Sequence, residues 1–343
     1  MFDELKKAHK HIHILFYICK NDDFSKEFLQ ILMDKAQSGI EVRLLLDWAG
    51  SLKIKKKKIK ELKAAGIQFS FSNLPCLPYF FYSSQTRNHR KITVIDGRIG
   101  YIGGYNVGKE YIDLDPKLTP WRDYHLKLTG EGVQDLQHQF LLDWQEATKT
   151  NLLQNEIYFP DLSKGVVRHQ FISTEGFLLE GTFSTLIRNA KHSITIGSPY
   201  FIPSKSILQD LLDALKRNVS ITVIVPFSSD HLFVKEASYP YLRKIISAGA
   251  NVYQYKKGFY HAKVLLVDDV ICDLGTANFD NRSFFLNHEI NCYIYNSDTI
   301  EQVKRILEQD LKDSEILHLS KLNNVSLFTS IKEWIAKGFV HFF

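Results

Sequence analysis

The sequence predicts an α/β protein built as two similar halves. Stretches of strand character alternate with stretches of helical periodicity, the alternation repeats at an offset of about 180 residues, and each half carries the same histidine-centred motif. Such alternation is what an α/β architecture requires, and two like halves predict pseudo-two-fold packing around one shared site. The 343 residues are ample for cores of ordinary domain size.

The first strand is expected at Lys10-His11-Ile12-His13-Ile14 and its counterpart at Lys191-His192-Ser193-Ile194-Thr195-Ile196, each followed by an apolar-aromatic run and a helical pattern. The second pair of strands follows a turn. Gly39-Ile40-Glu41-Val42-Arg43-Leu44-Leu45-Leu46-Asp47 and Asn218-Val219-Ser220-Ile221-Thr222-Val223-Ile224-Val225-Pro226 are apolar, partly β-branched runs that read as buried strands. Ala65-Gly66 and Ala248-Gly249 then close a Lys-rich helical stretch and open a third short strand. The halves fall out of step only between Gly66 and His89, where the first carries an insertion of 11 residues around Pro75 to Arg87. Residues 151–165 (NLLQNEIYFPDLSKG), with a Pro, a Gly and no clear period, are expected to link a first half at 1–150 to a second at 166–343.

Hydrophobic residues at 45% and charged residues at 24% are ordinary for a globular protein, which excludes collagen-like, disordered and disulfide-scaffold classes. The net charge of +5 suits an anionic partner without choosing between nucleic acid and lipid. Cys19, Cys76, Cys272 and Cys292 form no C-x-x-C pair, so neither a zinc ribbon nor a disulfide framework is expected, and a reducing compartment fits. No apolar run reaches 18 residues and the first residues are charged, so the chain as given is expected neither to span a membrane nor to open on a signal peptide.

The chemistry is carried by His89-Arg90-Lys91-Ile92-Thr93-Val94-Ile95-Asp96 and His261-Ala262-Lys263-Val264-Leu265-Leu266-Val267-Asp268, both H-x-K-x-x-x-x-D. Asn106 and Asn278 each follow their histidine by 17 residues, at the end of a small-residue turn. Period-2 alternation sets His89 with Lys91, and His261 with Lys263, on one face of a strand. Two imidazoles, two ammonium groups and two amides suit attack on a phosphodiester. One neutral imidazole attacks phosphorus, a protonated one supplies the leaving alkoxide with its proton, and the lysines and asparagines hold the nonbridging oxygens.

No metal is needed for that chemistry. His9, His11 and His13 recur at period 2, but no acidic or cysteine partner stands at ligand spacing, so no metal site is expected. The run from Lys53 to Lys63 reads either as a solvated helix face or as a basic helix meeting anionic headgroups, each Lys near such a surface contributing about 1 kcal/mol. Leu74-Pro75-Cys76-Leu77-Pro78-Tyr79-Phe80-Phe81-Tyr82, inside the insertion, reads equally as core packing or as interfacial contact.

With its duplicated motif the chain resembles the phospholipase D superfamily and, within it, the bacterial cardiolipin synthase family. The strings that carry the closer resemblance include Arg87-Asn88-His89-Arg90-Lys91, Ile102-Gly103-Gly104-Tyr105-Asn106-Val107-Gly108, Trp121-Arg122-Asp123-Tyr124-His125, Ser198-Pro199-Tyr200-Phe201-Ile202-Pro203 and Gly275-Thr276-Ala277-Asn278-Phe279-Asp280. The run Arg282-Ser283-Phe284-Phe285-Leu286-Asn287 adds to them. The resemblance implies two repeats, each a mixed β-sheet flanked by helices.

It also implies a phosphohistidine intermediate, with His89 as nucleophile and His261 as general acid, and phosphatidyl transfer between two phosphatidylglycerol molecules to give cardiolipin and glycerol. A carboxylate downstream of each motif accepts a hydrogen bond from the imidazole in that family, and the matching positions are Asp123 and Glu289. The motif aspartates, Asp96 and Asp268, are structural on the same grounds.

The partner implied is anionic phospholipid at a membrane surface. Neither nucleic acid nor a cofactor is expected, because no nucleic-acid module is recognisable and the chemistry is metal-free. Hydrolysis to phosphatidic acid, with water as acceptor, is the alternative outcome at the same site, and nuclease activity a more distant one. In that family, membrane-spanning helices usually precede the catalytic region, whereas this chain opens almost at its first strand. The expectation is therefore either a shortened form of such an anchored enzyme or peripheral association with the cytoplasmic side of a bacterial membrane through basic and aromatic surfaces. Trp334, Ile335, Phe339, Val340, Phe342 and Phe343 near the C-terminus read either as interfacial contact or as docking on the core.

Overall fold

The computed structural model describes residues 1–230, 233–324 and 327–338. The chain divides into two compact units, one of residues 1–115 and 125–166, the other of residues 116–124 and 167–343.

The first unit opens with a short helix α1 (Phe2–Lys6), followed by β1 (His11–Phe16), α2 (Asp23–Gln37), β2 (Glu41–Asp47), α3 (Lys56–Ala64) and β3 (Gln68–Ser72). The insertion contributes a single turn, α4 (Phe80–Ser83), before the β4 (Ile92–Ile95) and β5 (Ile99–Gly103) strands. The short β6 (Trp121–Arg122) belongs to the other unit, and β7 (His125–Thr129) and α5 (Val133–Thr148) complete the first. Its sheet has the order β3-β2-β1-β4-β5-β7, parallel through β1, β2 and β3 and antiparallel beyond, so it is mixed.

Strand β1 is buried on both faces, which explains its unbroken burial. Ile12, Ile14 and Phe16 enter a core with Phe28 and Leu32 of α2 and Leu62 of α3. His11 and His13 turn the other way, and His13 stacks on Phe140 of α5. His13 lies between Gln137 at 2.8 Å and Arg43 at 2.9 Å, and burial pushes its imidazole down to about 3. His11 and His13 are thus packing residues, and His9 is exposed. Residues 151–165 lie in this unit, where Tyr158 is buried with its ring against both histidines.

The second unit repeats the order strand, helix, strand, helix, strand. It runs β8 (His169–Glu175), α6 (Leu179–Asn189), β9 (Ser193–Gly197), β10 (Phe201–Ile202), α7 (Lys205–Lys216), β11 (Ser220–Pro226), α8 (Val234–Ser247) and β12 (Asn251–Tyr255). Then follow β13 (Phe259–Tyr260), β14 (Val264–Val267), β15 (Ile271–Gly275), β16 (Phe279–Asp280), α9 (Asn281–Phe285) and β17 (His288–Ile294). The end comprises α10 (Ser297–Lys312), β18 (Ser314–Ile316), α11 (Leu319–Asn323) and α12 (Leu327–Gly338).

The main sheet here has the order β18-β12-β11-β9-β14-β15-β17-β8. Its inner six strands, β12-β11-β9-β14-β15-β17, repeat the first unit's order, and β18 and β8 are added at the edges. The helices after β1 and β9 start alike. Asp22 accepts a hydrogen bond from Ser25 N at 2.8 Å and Ser204 from Ile207 N at 3.1 Å, each satisfying an otherwise orphaned first-turn donor. Near the C-terminus Ala336 of α12 is buried beside Val234 and Ala237 of α8, and Trp334 is exposed. Phe339, Val340, Phe342 and Phe343 lie outside the described residues.

Candidate active site

In each unit the motif begins just before the strand that pairs antiparallel with the first parallel strand, β4 beside β1 and β14 beside β9. Its aspartate stands at the far end of that strand. Asp96 accepts hydrogen bonds from His9 N (2.9 Å), Lys10 N (2.7 Å) and His11 N (3.0 Å), which ties the turn after β4 to the start of β1. Asp268 does the same for Lys191 N (2.8 Å), His192 N (2.7 Å) and Ser193 N (2.9 Å) at the start of β9. Both aspartates have left-handed backbone, φ 56° and 54°, which Asp tolerates better than most residues. These carboxylates are occupied by main-chain donors at the end of the strand away from the histidine, which is a structural task.

In the first unit His89, Lys91 and Asn106 all engage the segment that leaves β1. The His89 ring lies edge-on to Tyr17, centroids 5.0 Å apart, and the Lys91 ammonium stands 5.4 Å over that ring and donates to His89 O at 2.6 Å. Asn106 Oδ1 accepts from Ile18 N at 3.1 Å, and its amide nitrogen donates to Tyr111 at 3.1 Å. The residues flanking His89 are anchored by buried charge. Asp47, at the end of β2, accepts from Asn88 N at 2.9 Å and faces Arg87 at 3.5 Å. Asp143 of α5 pairs with the fully buried Arg90 and accepts from the Asn88 amide at 3.1 Å.

In the second unit His261 Nδ1 is 2.6 Å from Asp123 Oδ2. The Lys263 ammonium lies 2.9 Å and 3.2 Å from the two ring nitrogens and donates to His261 O. Trp121 packs its ring 4.7 Å from the imidazole and donates from Nε1 to Asp123 at 3.3 Å. Burial and then the Lys263 charge hold the imidazole below its ordinary value. Burial pushes the Lys263 ammonium down to about 8. For Asp123, burial acts upward, but Lys263 and His261 outweigh it and leave the carboxylate below its usual range.

Asp123 follows the first motif in sequence yet bonds the histidine of the second. The reason is topological, because residues 116–124 leave the first unit and join the second, where β6 pairs parallel with β13 directly before His261. A Cβ on Gly258 would collide with the Pro120 carbonyl, so glycine there permits the close approach. Arg122 Nε and the Tyr124 hydroxyl then fasten this strap to Asp310 of α10, at 2.7 Å and 2.6 Å. Glu289, on β17, is fully buried and accepts from Thr276 (2.6 Å), Ser283 (2.8 Å) and the Asn287 amide (3.3 Å). Its charge also supports the Lys263 ammonium. Asn278 is buried in the turn after β15, its main-chain N–H donating to Ser283 Oγ at 3.0 Å.

Sequence reasoning missed Tyr17, the Trp121 ring and Asp310. Tyr17 carried a signal, because it lies in the apolar-aromatic run that follows the first expected strand. Asp310 carried none, standing 188 residues from Arg122 on an ordinary amphipathic helix.

The mixed, duplicated fold has a close structural counterpart in the phosphatidylserine synthase of Haemophilus influenzae, with a TM-score of 0.76 over 98% of this chain and 89% of that one at 16% identity. At that identity the likeness concerns the fold alone. The sequence goes further: the family described as cardiolipin synthase, PLD-like domain, matches residues 1–118 and 183–311, so the chain belongs to that family. It is 41% identical to the minor cardiolipin synthase of Bacillus subtilis over 100% of this chain and 85% of that protein. It is also 36% identical to a cardiolipin synthase of Oceanobacillus iheyensis over 98% of this chain and 71% of that protein.

Proposed function

We infer that the protein is a phosphatidyltransferase that joins two phosphatidylglycerol molecules into cardiolipin and releases glycerol. The observation that carries this reading is the pair of identically spaced His-Lys-Asn sets, each held at the start of the equivalent strand of a like sheet.

In the first step a neutral His89 nitrogen attacks phosphorus. The bond from phosphorus to the headgroup glycerol oxygen breaks, leaving a phosphatidyl-histidine, and His261 gives that oxygen its proton. Asp123 holds His261 Nδ1, which leaves Nε2 to carry the transferable proton. In the second step the now neutral His261 takes the proton of a terminal hydroxyl on a second phosphatidylglycerol. That oxygen attacks phosphorus, the nitrogen–phosphorus bond breaks, and His89 is regenerated. Lys91, Lys263, Asn106 and Asn278 hold the nonbridging oxygens as charge builds on them.

The substrate is a bilayer lipid. Among the described residues no helix is long and apolar enough to cross a membrane. We place the chain at the cytoplasmic face of a bacterial membrane as a peripheral protein, a reading supported by its basic excess and by the free thiols of its four cysteines. The test is incubation of the purified chain with phosphatidylglycerol vesicles, without added metal, beside a His89→Ala control. Cardiolipin and glycerol in equal amounts, absent in the control, are the expected result. Phosphatidic acid as the sole product would replace transfer by hydrolysis, and product formed equally by the control would overturn the mechanism.

A further inference from the structure

The insertion that distinguishes the first half carries an unusual surface. Leu77 is 84% exposed, Tyr79 71%, Phe81 83% and Tyr82 57%, so an apolar, aromatic cluster projects into solvent. Apolar surface concentrated on one segment costs solubility and marks an interaction site. This segment is also built to project. Ser83 Oγ accepts from Cys76 N at 3.0 Å and donates to Tyr79 O at 2.9 Å, closing the segment through its polar atoms while its rings point outward.

Its place in the sheet supplies the second observation. Strands β1, β2 and β3 are parallel, so their C-terminal ends lie along one edge, and Trp48 N donates to Ser72 O at 3.1 Å where β2 and β3 finish. The chain leaves β2 there through Lys53, Lys55, Lys56 and Lys57, all exposed, and leaves β3 there through the insertion. An apolar wedge and a cluster of ammonium groups thus share the edge from which Tyr17 reaches His89. Arg87 ties the insertion to that site, donating to Ser83 O at 2.8 Å on one side and facing Asp47 on the other.

We propose that this edge is a membrane-docking surface, in which Leu77, Tyr79 and Phe81 enter the headgroup region of an anionic bilayer while Lys53 and Lys55–Lys57 bind its phosphates. Aromatic rings suit that depth because one end is apolar and, for Tyr, the other is wet. The lysines select anionic lipid and make binding fall with salt. Docking there brings the bilayer to the strand ends beside His89. The proposal rests on the reading of the substrate as a bilayer phospholipid.

The test uses the full chain and a Leu77→Ser/Phe81→Ser variant, with co-sedimentation on phosphatidylglycerol vesicles and on phosphatidylcholine vesicles. Binding needs no turnover, so it is read whether or not the transferase reading stands. Turnover of a short-chain phosphatidylglycerol below its micelle concentration is measured separately. The expected result is wild-type binding to the anionic vesicles that weakens with salt, at least about tenfold weaker binding by the variant, and unchanged turnover of the dispersed substrate. Vesicle binding by the variant equal to that of wild type would overturn the proposal. So would a lipid-free wild-type dimer that the variant abolishes, since a second copy would then own the surface.

Discussion

His89 and His261 stand before equivalent strands, but their neighbours are fixed by different means. Around the first, the flanking residues are pinned by buried charges, Arg90 to Asp143 and Arg87 to Asp47. Around the second, Ala262 takes the place of Arg90, Tyr260 and Phe259 are buried, and a strap from the other half of the sequence delivers a carboxylate to the ring itself. A buried ion pair is costly to break from one side, because the surviving charge is left unpaired, whereas an apolar setting fails by graded loss of packing. The same strand geometry has therefore been reached by two packing solutions, and substitutions should tell them apart.

The largest contrast is between the histidines. Each alanine substitution is expected to lower turnover of phosphatidylglycerol by at least about 10⁴-fold. A phosphodiester with a p-nitrophenol leaving group needs no proton in the first step, so His261→Ala should recover the initial burst of p-nitrophenolate, although its second step still lacks a base, and His89→Ala should recover none. Recovery by the His89 variant instead would exchange their roles. Next, Asp123→Asn should lower kcat by about 10²- to 10⁴-fold by removing the charge that fixes the His261 tautomer, with little change in KM. An equal loss expressed only in KM would argue for a binding role.

Arg90→Ala tests the ionic side of the comparison and should cost about 3–5 kcal/mol of stability in urea unfolding. A loss below about 1 kcal/mol would show that Asp143 is satisfied without it. The pH profile comes next. The proton donor His261, held below its ordinary value, sets the first fall of kcat/KM with rising pH, and Lys263, pushed down to about 8 and neutral above that, should add a second, steeper limb as pH rises through about 8. Lys263→Arg should move that limb upward, and an unmoved limb would assign it to another group. Smallest is Asp310→Asn, which loosens the strap without removing it. About a tenfold lower kcat and a displaced His261 limb are expected, while a change in melting temperature alone would make Asp310 structural only.

The same comparison separates what the sequence could carry from what it could not. The paired strands Glu41–Asp47 and Ser220–Pro226 were legible because burial on both faces imposes nearly continuous apolar runs. The two His-Lys sets were legible because strand periodicity fixes which side chains share a face. The insertion near Pro75 emerged from spacing alone, since one half served as a ruler for the other. The partner of Asp123 was not legible, because its neighbourhood is decided by where the chain crosses between units, a tertiary event without local period. The edge strands β18 and β8 escaped for a related reason: Ser314–Ile316 is too short to show alternation, and His169–Glu175 is polar along much of its length.

The strap has a consequence for how the molecule can be divided. A ribosome delivers residues 116–124 well before the unit they complete, and Asp123 emerges 138 residues ahead of the imidazole it will hold. Two genes cut at the midpoint of this duplication would not yield two self-sufficient proteins. A fragment starting at Val167 would possess His261 and Lys263 yet lack the carboxylate for Nδ1, so the ancestral symmetry of the sequence is no longer a symmetry of inheritance.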